Sequence, residues 1–195
     1  LGNLVKQVQL GAKIFVIQDE NIKKLYSSKI ATSLREFAPL SASLPSGEKS
    51  KSFAVLYPYF EQFIQAKLDR HSILIALGGG VTGDAVGFLA ATYLRGIDFV
   101  QVPTTLLSMV DSSIGGKVGI NHELGKNLIG AFHPPKLVVI DPTFLSSLPE
   151  REFLSGLGEC IKHALISGPT LFGETIALKE KLKQKDLNIL PEFIY

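Results

Sequence analysis

Four short apolar runs divide the chain, each ending in polar or turn-forming residues: 13–17 (KIFVI), 72–77 (SILIAL), 98–102 (DFVQV) and 137–140 (LVVI). Their length and β-branched content predict strands, and the near-absence of alternation in KIFVI and SILIAL predicts burial on both faces. Between them the spacing turns helical, at 20–26, from the loop 43–51 (SLPSGEKSK) to about residue 67, and at 83–94. Pro58 lies inside the second of these and is expected to kink or split it, because it removes a backbone donor. Beyond Pro149 two more helical patterns follow, 150–166 and about 170–185, separated by Gly168 and Pro169. Alternating strands and helices predict an α/β fold, a Rossmann-like, mainly parallel sheet with flanking helices. The first helices of an incomplete all-α domain come after it. The expected division is 1–148 and 149–195.

One run ends in an unusual way. SILIAL passes into Gly78, Gly79, Gly80, Val81, Thr82, Gly83 and Asp84, and then into the helical segment AVGFLAATYL. A buried strand leading through glycines to a helix N-terminus is the build of a phosphate- or dinucleotide-binding loop. The G-x-G-x-x-G spacing at Gly78, Gly80 and Gly83 fits, although glycine turns end many parallel strands. Asp19, just past the first strand, suits either a ribose hydroxyl or the N-cap of the next helix. Ligands of such sheets sit beyond the carboxyl ends of the strands, so Asp19, the glycine turn and Thr104–Thr105 can line one crevice. Residues 104–127, rich in hydroxyls and glycines with one aspartate and two lysines, read as site rather than core.

Composition narrows the picture. A chain of 195 residues with 46% hydrophobic and 19% charged residues suits a fold with several buried strands. A net charge of +2, with no Lys/Arg-rich run, gives no reason to expect a nucleic-acid partner. No apolar run approaches the ~18–20 residues of a membrane span, so no membrane partner is expected. Cys160 is the sole cysteine, which excludes an internal disulfide and favours a reducing cytoplasm. The start at Leu1, with an apolar strand by residue 13, suggests that residues upstream are missing.

Three segments carry a more specific signal: GGGVTGDAVGFLAATYLRGI (78–97), QVPTTLLSMVDSSIGGKVGINHELGKNLIGAFHPP (101–135) and LSSLPEREFLSGLGECIKHALI (145–166). In them the chain resembles the 3-dehydroquinate synthase family, the NAD-using cyclases of the shikimate pathway. The resemblance implies an NAD-binding domain followed by a helical domain that holds a divalent metal (Zn2+ or Co2+) and the substrate. Carried over by position, it places NAD contacts at Asp19, at the loop Ser46, Gly47, Glu48, Lys49, Ser50 and Lys51, and at Gly79, Gly80, Val81, Thr82, Gly83 and Asp84. It adds Thr104, Thr105, Lys117, Lys126 and the segment Phe144, Leu145, Ser146 and Ser147. That last segment, FLSS, departs from the FLKT common among relatives.

The resemblance assigns substrate roles to Arg95, Asp111, Lys117, Asn127 and Lys162, and a metal-ligand role to Glu159. The implied substrate is a sugar-acid phosphate, whose oxyanions call for several fixed cations. Arg95 is implied to reach the substrate of a neighbouring subunit, hence a homodimer. His163, four residues after Glu159, falls on the same helical face, but the resemblance gives it no ligand role. His122 and His133 are read as structural or supporting, His71 as surface, and Cys160 as a small buried side chain. The implied reaction converts 3-deoxy-D-arabino-heptulosonate 7-phosphate to 3-dehydroquinate plus phosphate. The family's two further histidine ligands belong to a later region, one of them in an N-x-G-H-T signature that this sequence lacks. No turnover by the 195-residue chain alone is therefore expected. Three alternatives stand beside this reading: a sister sugar phosphate cyclase, a metal-dependent alcohol or glycerol-phosphate dehydrogenase, and a non-catalytic NAD-binding module.

Overall fold

The computed structural model describes residues 1–8 and 12–194. In chain order its elements are α1 (Gly2–Val8), β1 (Ile14–Asp19), α2 (Glu20–Leu34), β2 (Leu40–Leu44), α3 (Phe53–Gln65), β3 (Ile73–Gly78), α4 (Gly80–Thr92) and β4 (Asp98–Pro103). There follow β5 (Lys117–His122), β6 (Gly125–Phe132), β7 (Leu137–Val138), α5 (Glu150–Ser167), α6 (Pro169–Ala177), α7 (Lys179–Lys183) and α8 (Leu190–Ile194). Five strands form a parallel sheet in the order β2-β1-β3-β4-β7, and β5 and β6 form a separate antiparallel hairpin.

Burial explains the sheet. All six residues of β3 are buried. Leu74 and Ala76 point into a layer with Phe15, Phe63 and Leu89, beneath α3 and α4. Ile73, Ile75 and Leu77 point into the opposite layer, with Val16, Leu34, Val100 and Phe153. A strand covered on both faces has no polar side to present, which is why its sequence does not alternate. Phe153 and Cys160 of α5 belong to the second layer, so the helical C-terminal part shares core with the sheet.

Several expectations need correction. β2 has no counterpart in the sequence reading, because in LSASL only Leu44 is buried and an edge strand of small polar residues leaves no apolar run. Pro58 does not split α3, which runs unbroken from Phe53 to Gln65. Leu56, Tyr59 and Phe63 anchor one face, and Pro58 sits on the exposed side, where water can satisfy the carbonyl it leaves unpaired. Helix α4 starts at Gly80 rather than at residue 83. The hairpin within 117–132 lay hidden in what reads as loop, since nearly every residue of β6 is exposed. The pattern at 170–185 breaks at Leu178 into α6 and α7, a turn that puts Leu182 into the core. The start of the last helix falls at Leu190, and residue 195 lies outside the described residues.

The chain leaves α4 through left-handed backbone at Leu94 (φ 50), Arg95 (φ 68) and Gly96 (φ 121). Tyr93 pins this corner, its hydroxyl donating to the carbonyl of Leu68 at 3.0 Å in a buried setting. Tyr93→Phe deletes that donor and strands the acceptor. We expect a loss of about 1 kcal/mol in urea denaturation, with the fold intact.

Candidate cofactor and metal site

The carboxyl ends of β1, β3 and β4 open into a cleft of about 850 Å³. Gly79 and Gly80 line it together with Val81 and Thr82. A side chain at Gly79 would begin 3.1 Å from Thr105 Cγ2, and one at Gly80 would begin 2.7 Å from Ser112 Oγ. A Cβ at either position would have to displace one of these side chains. Gly79 caps α4 with no side-chain hydrogen bond. The first-turn amides of that helix therefore have neither an intrahelical acceptor nor a side-chain cap, and they carry the positive end of its dipole. At the end of β4, Thr104 Oγ1 is buried without a hydrogen-bond partner. A glycine-lined cradle, uncapped amides and an orphaned hydroxyl fit a pyrophosphate-containing cofactor.

Asp19 takes the N-cap role: its Oδ1 accepts from the Asn21 amide at 2.8 Å and from Ser46 Oγ at 2.9 Å. It still lines the cleft, as do Gly47, Glu48, Lys51, Asp84, Thr105, Lys126, Phe144 and Ser147. Phe144 and Ser147 are fixed against α2, where Tyr26 stacks edge-on to the Phe144 ring at 4.8 Å and its hydroxyl meets Ser147 Oγ at 2.7 Å. Seven predicted cofactor residues do not line the cleft: Lys117 lines the neighbouring cavity, and Ser46 is held at the cleft edge by Asp19 and Asn21. Leu145 is a core side chain, Ser50 is buried with its hydroxyl on the Pro45 carbonyl, and Gly83 backs onto Gln101. Lys49 is exposed, and Ser146 donates to the Thr143 carbonyl.

Lys51 is the electrostatic centre. Its side chain is 4% exposed, and Nζ lies 2.6 Å from Asp84 Oδ2. The same ammonium donates to Asn127 Oδ1 and stands 3.9 Å from Glu48 Oε1. Burial pushes the Asp84 carboxyl above its ordinary pKa, although Lys51 pulls it down, and Glu48 and Asp111 add to the rise. One buried cation thus ties the 46–51 loop to α4 and to the hairpin.

A second cavity of about 480 Å³ adjoins the cleft, lined by Asp84, Asp111, Lys117 and Asn127, with Leu128 and Phe132 as apolar wall. Asp111 arrives there on a π-helical turn, Ser108–Ser112, that starts from hydrogen bonds between Thr105 and Ser108. Such turns are common at functional sites because they reposition one side chain in a short space. Asp111, Asn127 and Lys117 are thereby brought together.

On α5 a donor cluster forms. Ligand atoms of Asp111, Glu159 and His163 all lie within 4.8 Å of one another, the one cluster of this kind among the described residues. Glu159 Oε1 is closed off from solvent and receives no hydrogen bond of ordinary geometry. Lys162 and His163 Nε2 (3.0 Å) crowd it as ion-pair partners. The Lys162 ammonium holds the Glu159 carboxyl below its usual range, and the carboxylate in turn raises Lys162. Two carboxylates and an imidazole suit a divalent zinc-like ion. His163 belongs to this cluster, a place that the one-face spacing of Glu159 and His163 could have signalled.

Arg95 is not brought to the cleft. It lies past the far end of α4, whose thirteen residues span roughly 20 Å. His133 is structural, with Nε2 2.9 Å from the Ile97 carbonyl and its ring stacked 5.6 Å from Phe99. His122 Nδ1 accepts the Leu124 amide in the hairpin turn, and His71 is exposed. Burial pushes the Cys160 thiol up to about 11, which makes it inert at neutral pH. The sequence reading missed the apolar wall of the cleft, Ile22, Leu25 and Leu107. The spacing of Ile22 and Leu25 on one face of α2 was its signal.

Comparison with known proteins follows the same lines. The family model described as 3-dehydroquinate synthase N-terminal matches residues 41–155, more than half of the chain. A curated 3-dehydroquinate synthase of Geobacter metallireducens is 46% identical over 196 aligned positions, covering 100% of this chain and 54% of that protein. The chain thus spans about half the length of the curated relatives it matches. A crystal structure of 2-deoxy-scyllo-inosose synthase with carbaglucose-6-phosphate, NAD+ and Co2+ superposes with a TM-score of 0.77 at 29% identity, over 84% of this chain and 46% of that one. The 2-epi-5-epi-valiolone synthase of Streptomyces hygroscopicus, with NAD+ and Zn2+ bound, gives 0.73 at 29% identity, over 93% and 56%.

Proposed function

Because the chain belongs to the 3-dehydroquinate synthase family, we propose that it forms the NAD-binding portion, and the first part of the metal site, of an enzyme that converts 3-deoxy-D-arabino-heptulosonate 7-phosphate to 3-dehydroquinate and phosphate. The observation that carries this reading is the join between the two cavities. The glycine cradle and the cavity of Asp111, Lys117 and Asn127 share Asp84, Asp111, Ser112 and Asn127 as wall.

The cofactor and metal, when bound, supply a reversible hydride acceptor and a Lewis acid for the substrate's hydroxyl oxygens. The residues of the chain do the rest. First-turn amides at Gly80 to Thr82 hold the pyrophosphate, with Lys126 adding a cation at the cleft wall. Lys51 holds Asp84 and Asn127 in place. Lys117 grips the acidic substrate from the second cavity, and Asp111 accepts protons from substrate hydroxyls beside it. Glu159 is the metal ligand on α5, with Asp111 and His163 within reach. The helical part from residue 149 begins the substrate and metal domain, and residues 1–148 form the cofactor domain. The enzyme is placed in the cytoplasm as a homodimer, in which Arg95, remote from its own cleft, serves the partner's. Neither nucleic acid nor membrane is a partner.

The test is an assay of the whole protein with the heptulosonate phosphate, NAD+ and Co2+. Phosphate release without net NADH is the expected result, and net NADH production would instead identify a dehydrogenase. Glu159→Gln should abolish phosphate release while NAD+ affinity, read by calorimetry, changes less than about twofold, since Glu159 stands outside the cleft lining. Equal turnover by this variant would remove Glu159 from the metal site.

A further inference from the structure

The hairpin contains an irregularity. Ile120 of β5 faces Ile129, but His122 faces Gly125, so Asn121 alone stands opposite residues 126–128 and the extra residues of the bulge, Asn127 among them, lie on β6. A bulge frees backbone groups from the ladder and re-aims the side chain. Opposite the bulge, the Asn121 amide donates to the Lys51 carbonyl at 2.8 Å. Its Nδ2 donates to Glu48 Oε1 at 2.8 Å, and its Oδ1 accepts the Asn127 amide at 2.9 Å. Two bonds therefore run to the 46–51 loop and one to Asn127. Asn127 is held in left-handed backbone (φ 57), and its own Oδ1 receives the Lys51 ammonium. Asn121, Lys51 and Asn127 close a ring of hydrogen bonds.

We infer that Asn121 is a positioning residue: it clamps the 46–51 loop to the hairpin and thereby fixes Asn127 beside Asp111 and Lys117. The functional half of this inference rests on the reading that the loop contacts NAD+. A cofactor that orders the loop then also orders Asn127, and whatever engages Asn127 tightens cofactor binding, because coupling between two sites is reciprocal. The core of the hairpin, Val118 and Ile120, does not depend on the Asn121 side chain.

Asn121→Asp keeps an acceptor for the Asn127 amide, but it removes the donor to Glu48 and sets a second carboxylate against it. Amides of residues 46–51 should then exchange with deuterium at least about tenfold faster, and the NAD+ Kd should rise about tenfold by calorimetry. Adding Glu48→Gln reverses the polarity of the bond, since the new amide can donate to the new carboxylate, and should restore slow exchange. A merely structural asparagine would not be rescued in this way. Unchanged exchange in Asn121→Asp, or no recovery on adding Glu48→Gln, overturns the clamp. Faster exchange with unchanged NAD+ affinity overturns the coupling. Exchange is read without cofactor, so a parent protein that binds no NAD+ removes the cofactor reading and leaves the clamp to be judged on exchange alone.

Discussion

Lys51→Met is expected to lower the stability of the protein by about 2–3 kcal/mol at pH 7. Removing one partner of a buried pair costs roughly 3–5 kcal/mol, and the 21% exposure of the Asp84 side chain lowers that figure. The pH dependence carries the distinctive signature. Burial already raises the Asp84 carboxyl above its ordinary 3.8, and Lys51 is the group that lowers it. A carboxyl whose folded pKa is raised stabilises the fold fully below its unfolded pKa, and that contribution is lost as pH rises through the folded value. Without Lys51 the folded value climbs further, so the deficit is greatest at neutral pH. It shrinks toward pH of about 4, where Asp84 takes up its proton in the folded and unfolded states alike. Urea denaturation of parent and variant at the two pH values measures this. Lys51→Met/Asp84→Asn should recover most of the loss at pH 7. A deficit independent of pH would mean that Lys51 acts by packing its alkyl stem and not by holding Asp84.

Gly80→Val should weaken NAD+ binding by at least about 100-fold, equivalent to about 2.7 kcal/mol. The new Cβ would start 2.7 Å from Ser112 Oγ. The rest of the side chain would then occupy the floor from which the α4 amides face their ligand. Ser112 can rotate away, so the fold should survive with a modest fall in melting temperature. Gly173→Ala on α6 meets nothing within 4 Å and serves as the control, with affinity unchanged. Equal loss in both variants would mean that the effect is not local to the cradle.

What the sequence disclosed followed burial. The SILIAL run predicts β3 because every residue of the strand is covered, and the glycines after it mark the cradle because a Cβ there would crowd Thr105 or Ser112. β2 and the hairpin stayed hidden because their residues are polar or exposed, so backbone pairing rather than burial defines them. Pro58 misled for a related reason. A helix held on its far face by Leu56, Tyr59 and Phe63 tolerates one missing hydrogen bond on the side that water reaches. Asp19 carried two meanings that spacing could not separate, and the structure shows it capping α2 at the cleft edge. The role of Lys51 as a buried cation was illegible, because its partners Asp84 and Asn127 are distant in sequence and meet only through the hairpin. Asn121 was missed because a bulge is a property of register, which no single residue announces.

The central claim is that the cleft at the end of β1, β3 and β4 is a cofactor site. Titrating NAD+ into the purified protein by calorimetry tests it most directly. The account predicts saturable binding of one NAD+ per chain, present without added metal and lost in Gly80→Val. A folded protein that takes up no NAD+, or one whose Gly80→Val variant binds as well as the parent, would contradict it.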